Sequence, residues 1–172
     1  GAVSGVTIAK LKIPPFIATL GMMQIARGLA LVFSGAKPIY FNDTPNYKYI
    51  SPESSITSLI PGLEIPNGVL VMFGVAIIAS IILNRTIFGR YVFALGSNEE
   101  AARLSGMNVD FWKISTYALS GAICGIAGLL VSSRLNSAQP ALGLGYELDA
   151  IAAVVIGGTS LSGGRGTILG TI

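Results

Sequence analysis

Three stretches of this chain are each long and apolar enough to cross a bilayer, and this limits what it can fold into more than any other feature. A spanning helix needs about 20 apolar residues to cover roughly 30 Å of hydrocarbon. Residues 13–36, 67–83 and 114–133 meet that requirement. Residues 1–9 read as the tail of an earlier helix, and residues 148–158 are apolar but only about half a span. A further helix is expected from Thr167 onward. The chain is 52% hydrophobic and 11% charged, where soluble domains carry about 25% charge, and its mean hydropathy is +0.71. Its solvent is therefore mostly lipid. The expected fold class is all-α: a polytopic transmembrane helical bundle with a half-length or broken helix. Because the chain opens on Gly1 and its last residue, Ile172, falls in an apolar run, the expectation is an internal segment of a longer membrane protein, with any leader upstream.

The connections differ in charge. Lys10 and Lys12 precede the Pro14–Pro15 pair, which suits a helix start. The segment 84–113 holds Arg85, Arg90, Arg103 and Lys113. The segment 37–66 is rich in Pro, Ser, Asn and Tyr and holds Lys37 and Lys48, while 136–147 has no basic residue. Six basic residues therefore face two, and the positive-inside rule puts the first two segments in the cytoplasm and the others outside. Arg134, at the outer end of the third span, runs against the trend without reversing it.

Several function classes drop out. There is no histidine, so histidine triads, HExxH zinc sites and histidine proton relays are excluded. Cys124 stands alone, which removes internal disulfides and CxxC metal sites. No metal site is expected. The basic residues are scattered without interleaved aromatics, so nucleic acid is not an expected partner.

The stretch LSGGRG, residues 161–166, is one letter from LSGGQ, the signature of the ATP-hydrolysing subunits of ABC transporters. A nucleotide site of that kind also needs a P-loop to hold the phosphates. No GxxxxGK[ST] occurs, and only apolar and small residues follow, from Thr167 to Ile172. The glycines of the region, among them Gly157 and Gly158, let backbones approach closely. Gly166 with Gly170, and Gly121 with Gly125, form GxxxG spacings that suit helix packing. A short apolar segment broken by glycines also points toward a transport pathway, because irregular backbone at membrane depth is tolerated only inside protein or along a cavity. Packing and pathway lining both remain open for these glycines.

In GSNEEAARLSGMN, Ser97 is a candidate N-cap, with Glu100 three residues on completing a capping box. Gly106 is placed to end the helix in a left-handed turn, and Asp110 is a candidate cap for the third span. The segment reads as a two-turn cytoplasmic helix. Glu100, Ala101, Ala102 and Gly106 resemble the EAA loop of bacterial ABC importer permeases. Three longer blocks, AKLKIPPFIATLGMMQIARGLALVFSG, FGRYVFALGSNEEAARLSGMNV and ELDAIAAVVIGGTSLSGGRGTILG, are similar in order to the ribose-type sugar permeases. The resemblance implies that Ser97, Glu99, Glu100, Ala101, Ala102 and Gly106 form a coupling helix docking on a separate ABC ATPase subunit. It implies no cofactor bound by this chain, ATP being used by that subunit. It further implies a second permease chain (a homodimer), an extracellular or periplasmic sugar-binding protein, and residence in the bacterial cytoplasmic membrane. The substrate it suggests is a monosaccharide, ribose or a related sugar. Branched-chain amino-acid import is the alternative within the same class.

Gln24 and Arg27 fall inside the first span, where a central Arg costs about 2.5 to 3.5 kcal/mol on insertion scales. They read either as pathway residues or as groups tied to carbonyls or a carboxylate. Glu147 and Asp149 stand where the half-length helix begins, as dipole-matching residues or as substrate contacts. Trp112 and Tyr146 suit an interfacial position. A gradient-driven secondary transporter is the competing class, and the shortage of intramembrane acids counts against it. A membrane enzyme lacks an evident nucleophile–base pair. The charge asymmetry makes a testable statement. In a Cys124→Ala background, Ser97→Cys should be labelled only after permeabilisation and Ser55→Cys from outside intact cells; labelling of position 97 from outside would reverse the orientation.

Overall fold

The structure is a computed structural model that describes residues 1–41, 47 and 66–172. Its helices are α1 (Ala2–Leu11), α2 (Pro15–Ser34), α3 (Asn67–Arg85), α4 (Ile87–Ser97), α5 (Glu99–Leu104), α6 (Val109–Leu135), α7 (Tyr146–Ile156) and α8 (Ile168–Thr171). The strands β1 (Ile39–Tyr40) and β2 (Ser137–Ala138) complete the described residues. The fold is that of an all-α membrane protein. Helices α2, α3 and α6, of 20, 19 and 27 residues, are long and apolar enough to cross a membrane.

Pro15 opens α2, where its missing N–H costs nothing. Hydroxyl groups inside these apolar helices bond back to their own backbone: Thr19 to the Pro15 carbonyl (3.0 Å), Thr116 to Trp112 (2.8 Å) and Ser115 to Phe111 (2.8 Å). That satisfies them without water. The half-span α7 begins at Tyr146, two residues before the expected start, and α8 begins one residue after Thr167.

Two features depart from the sequence reading. Residues 84–113 are not a loop around one short helix, because α4 occupies their first half. In addition, α6 starts at Val109, five residues before the expected start of the third span. The cap of α6 is Asn108, whose Oδ1 accepts the Phe111 N–H (3.1 Å). Asp110 therefore lies within the first turn instead of capping it. At 1.5 Å per residue α6 is about 40 Å long, more than the hydrocarbon thickness.

The chain divides into two compact units. One comprises Gly1–Thr19, Ala76–Gly121 and Gly143–Ile172. Its buried apolar residues are Ile8, Ala9, Ala102 and Val109. Trp112 sits in an aromatic cluster with Tyr91 (ring centroids 4.7 Å), Phe111 (5.4 Å) and Phe88 (5.9 Å), pinning α4 to the start of α6. The α3–α4 corner is sharp. The Thr86 hydroxyl donates to the Ile82 carbonyl (2.6 Å), and a methyl group at buried Gly89 would run into the Leu83 carbonyl.

The other unit comprises Leu20–Val75 and Ala122–Leu142. Its strands pair antiparallel, Ile39 with Ala138 and Tyr40 with Ser137. The ribbon joins the two segments that the charge pattern puts outside. Tyr47 strengthens the join: its carbonyl accepts from Ser133 Oγ (2.7 Å), its hydroxyl shares a hydrogen bond with Ser132 Oγ (2.5 Å), and its ring packs on Phe41 at 4.6 Å. Ser55, Lys48 and the acids of 42–46 and 48–65 lie outside the described residues.

The α3–α4 corner generates a stability prediction. Gly89→Ala forces a methyl group into main chain, an overpacking that typically costs about 1 to 3 kcal/mol. The purified protein in detergent should unfold at lower temperature. Gly74→Ala, whose methyl group meets open space, should leave stability unchanged or slightly raised. Equal behaviour of the two variants would show that the corner tolerates separation.

Candidate functional site

Helix α5 is built by its ends. Asn98 is extended (φ −158°, ψ 103°) and its side-chain oxygen accepts the Ala101 N–H at 3.0 Å. The cap is thus Asn98 and not Ser97, which is the last residue of α4. One consequence is that Glu100 is the second helical residue, out of register for the capping box. Glu99 and Glu100 in the first turn and Arg103 in the last match the helix dipole. The C-terminal end is as expected. Gly106 has φ +85°, the Gly106 N–H bonds the Arg103 carbonyl (3.1 Å) and the Met107 N–H bonds Ala102 (3.2 Å). This pair is the Schellman arrangement.

Ion pairs fix how α5 lies against α6. Lys113 Nζ is 2.6 Å from Glu99 Oε2, and Arg103 reaches Glu99 (3.5 Å) and Asp110 (3.9 Å). Exposed pairs of this kind contribute at most about 1 kcal/mol each, so their role here is orientation. They turn Ala102 into the chain, at 6% exposure, and Leu104 outward at 86%. Two residues along a helix is about 200° around it. Leu104, Glu100 and Ala101 are therefore the outward face. The coupling residues that the resemblance implies include the buried Ala102 and leave out the exposed Leu104. The missed signal was an apolar residue opposite the small one on a short polar helix.

The two segments that the charge count places on one side come together. A cavity of about 790 Å³ is lined by Lys10, Lys12 and Pro14 from one and by Glu99, Arg103 and Lys113 from the other.

The second region of interest is α7 and the turn after it. Glu147 and Asp149 fall in the first turn of α7, whose N-cap Gly145 offers no side chain. Gly157 ends the helix, Gly158 has φ +82°, and the Thr159 N–H returns to the Val154 carbonyl (3.1 Å). Residues 160–165 then close on themselves, Ser160 N–H to Arg165 carbonyl and Gly163 N–H to Ser160 carbonyl, both 3.0 Å. The LSGGR letters thus form a self-bonded turn. Gly166 precedes α8, whose cap is Thr167 (3.3 Å to the Gly170 N–H). Gly166 and Gly170 therefore share no helix face, and the GxxxG reading fails there. Gly170 instead meets the backbone of Gly157. In α6, Gly121 abuts the backbone of Gly1, while Gly125 faces open space.

In α2, Gln24 is exposed and Arg27 half-buried. Among the described residues neither has a side-chain hydrogen bond, and no ion pair there involves Arg27, Glu147 or Asp149.

The chain is 46% identical over its whole length to the ribose import permease RbsC of Haemophilus influenzae, covering 52% of that protein. It is 45% identical over 169 residues to RbsC of Bacillus subtilis, with 98% of this chain and 51% of that protein covered. The L-arabinose transport system permease AraH of Escherichia coli (strain K12) is 42% identical over 166 residues, 96% of this chain and 48% of that protein. The chain thus spans about half the length of the curated relatives it matches. No solved structure matches it. The family model for the permease component of branched-chain amino acid transport systems matches residues 1–172, and the chain belongs to that family.

Proposed function

We propose that this chain is part of the membrane-spanning permease of an ABC importer that carries a monosaccharide, ribose or a close relative, across the bacterial cytoplasmic membrane. The observation that carries the reading is the 46% identity to ribose import permeases along all 172 residues. The geometry of α5 supports it. A helix of six residues is too short to persist alone, yet it is held by caps and ion pairs and presents Leu104 outward.

The mechanism follows from those parts. A separate ATPase subunit grips α5 of each of two permease chains. Closure of the ATPase pair around ATP displaces α5, and the two permease chains rock between outward- and inward-facing states. Sugar released by an external binding protein passes between them. The chain supplies no acid, base or nucleophile to a reaction; its work is displacement. Gln24, Arg27, Glu147 and Asp149 are the proposed polar contacts of the pathway.

Branched-chain amino-acid import is the second reading, favoured by the description of the family. Reconstitution of the full-length permease with its ATPase and binding protein in liposomes separates the readings. ATP-dependent uptake of labelled ribose, uncompeted by leucine, is expected. Leucine uptake would transfer the assignment, and uptake driven by an ion gradient without ATPase would end it.

The exposed face of α5 yields a sharper test. Burying a Leu side chain contributes about 1.5 to 3 kcal/mol. Leu104→Ala should therefore weaken ATPase retention by about tenfold or more and reduce uptake, with normal membrane insertion. Glu100→Ala, which breaks no capping bond but removes a charge from the same outward face, should weaken retention less than Leu104→Ala. Ala102→Arg should lower the yield of folded permease, because Ala102 is buried in its own chain. A Leu104→Ala permease that holds its ATPase like the parent would show that α5 docks through other residues.

A further inference from the structure

We infer that Gly96, at the end of α4, is the residue through which displacement of α5 reaches the broken helix α7. The inference rests on reading α5 as the ATPase-docking helix.

The contact is main chain against main chain. A methyl group at Gly96 would lie 2.6 Å from the Gly164 nitrogen and 3.3 Å from its Cα. From the other side, a methyl group at Gly163 would lie 3.0 Å from Gly96 Cα, and one at Gly164 would lie 3.0 Å from Ser97 Cα. Both faces of the seam are therefore closed to any side chain. The helical conformation of α4 does not demand glycine at 96; the neighbouring backbone does.

Both sides of the seam connect directly to the parts that matter. Asn98 donates its N–H to the Ala94 carbonyl (3.0 Å), finishing α4, while its side chain caps α5. A single residue thus serves two helices, leaving no slack between Gly96 and the docking helix. On the far side, the turn 160–165 is cross-bonded internally, and Thr159 is bonded to the last turn of α7. The Thr159 side chain also lies against Gly166. The chain of contacts runs from α5 through Asn98, Gly96, the glycine turn and Thr159 to α7, without a long side chain in it. Side chains take up small displacements by changing rotamer; a backbone contact has no such play. A cavity of about 470 Å³ borders the seam, walled by Leu83, Val92, Phe93 and Val154.

A rigid link predicts that wedging the seam open uncouples the machine, from whichever face the wedge enters. In liposomes containing the full-length permease, its ATPase and its binding protein, Gly96→Ala should keep ATPase retention and ATP hydrolysis. Sugar moved per ATP should fall at least about fivefold, the lower end of ordinary coupling energies. Gly28→Ala, which meets open space, should match the parent. Gly164→Ala, whose methyl group would press on Ser97 from the other face, should lower the ratio likewise. A parental sugar-to-ATP ratio in Gly96→Ala or in Gly164→Ala would overturn the inference. If Gly96→Ala does not insert, Gly164→Ala decides alone. A parent that transports without ATP refutes the importer reading. An ATP-driven parent with a fully coupled Gly96→Ala refutes only the role of the seam.

Discussion

An amide in hydrocarbon has no water to bond, so every backbone N–H and C=O there must find its partner within protein. The architecture follows from this constraint. It makes α2, α3 and α6 continuous helices and turns the hydroxyls of Thr19, Ser115 and Thr116 back onto their own helices. It also governs the end of α7, where apolar sequence stops being helical. After α7 the chain does not wander; it closes residues 160–165 into a turn whose amides bond each other. Two of its N–H groups are bonded within the turn, and its glycines lie against the backbone of Gly96 and Ser97.

Much of this was legible in the residues. The three spans, the half-length helix and the left-handed exit at Gly106 follow from run length, hydropathy and glycine position. What was not legible depended on neighbours. The run IFGRYVFALGS looks like a loop because it mixes two glycines with Arg90, yet it is helical because Gly89 permits the corner with α3 and Trp112 supplies an aromatic partner for Phe88 and Tyr91. Both helix starts in this region offered competing caps: Ser97 beside Asn98, and Asn108 near Asp110. Which one acts depends on where the preceding helix ends, and propensity alone does not record that. At Gly166 the GxxxG spacing does not lie on one helix, since α8 begins at Ile168 after its Thr167 cap and Gly166 stands before it.

Helix α5 shows how weak interactions can still decide a geometry. None of the ion pairs among Glu99, Arg103, Asp110 and Lys113 contributes much free energy at the surface. Together they choose which face of α5 looks out. With Glu99 held by Lys113 and Arg103, Ala102 must point inward and Leu104 outward. High salt would loosen this choice well before it disturbed the apolar contacts of the aromatic cluster around Trp112.

The seam at Gly96 has a genetic consequence. In an ordinary core, a residue that becomes too large can be accommodated when its neighbour becomes smaller. At this seam the residues facing position 96 are Gly163 and Gly164, and nothing on that side is left to shrink. A lesion at position 96 has no local suppressor. Reversion must come from changes that move a whole segment, such as the end of α7 at Thr159, so compensating changes in descendants of such a mutant should map far along the sequence from the original lesion.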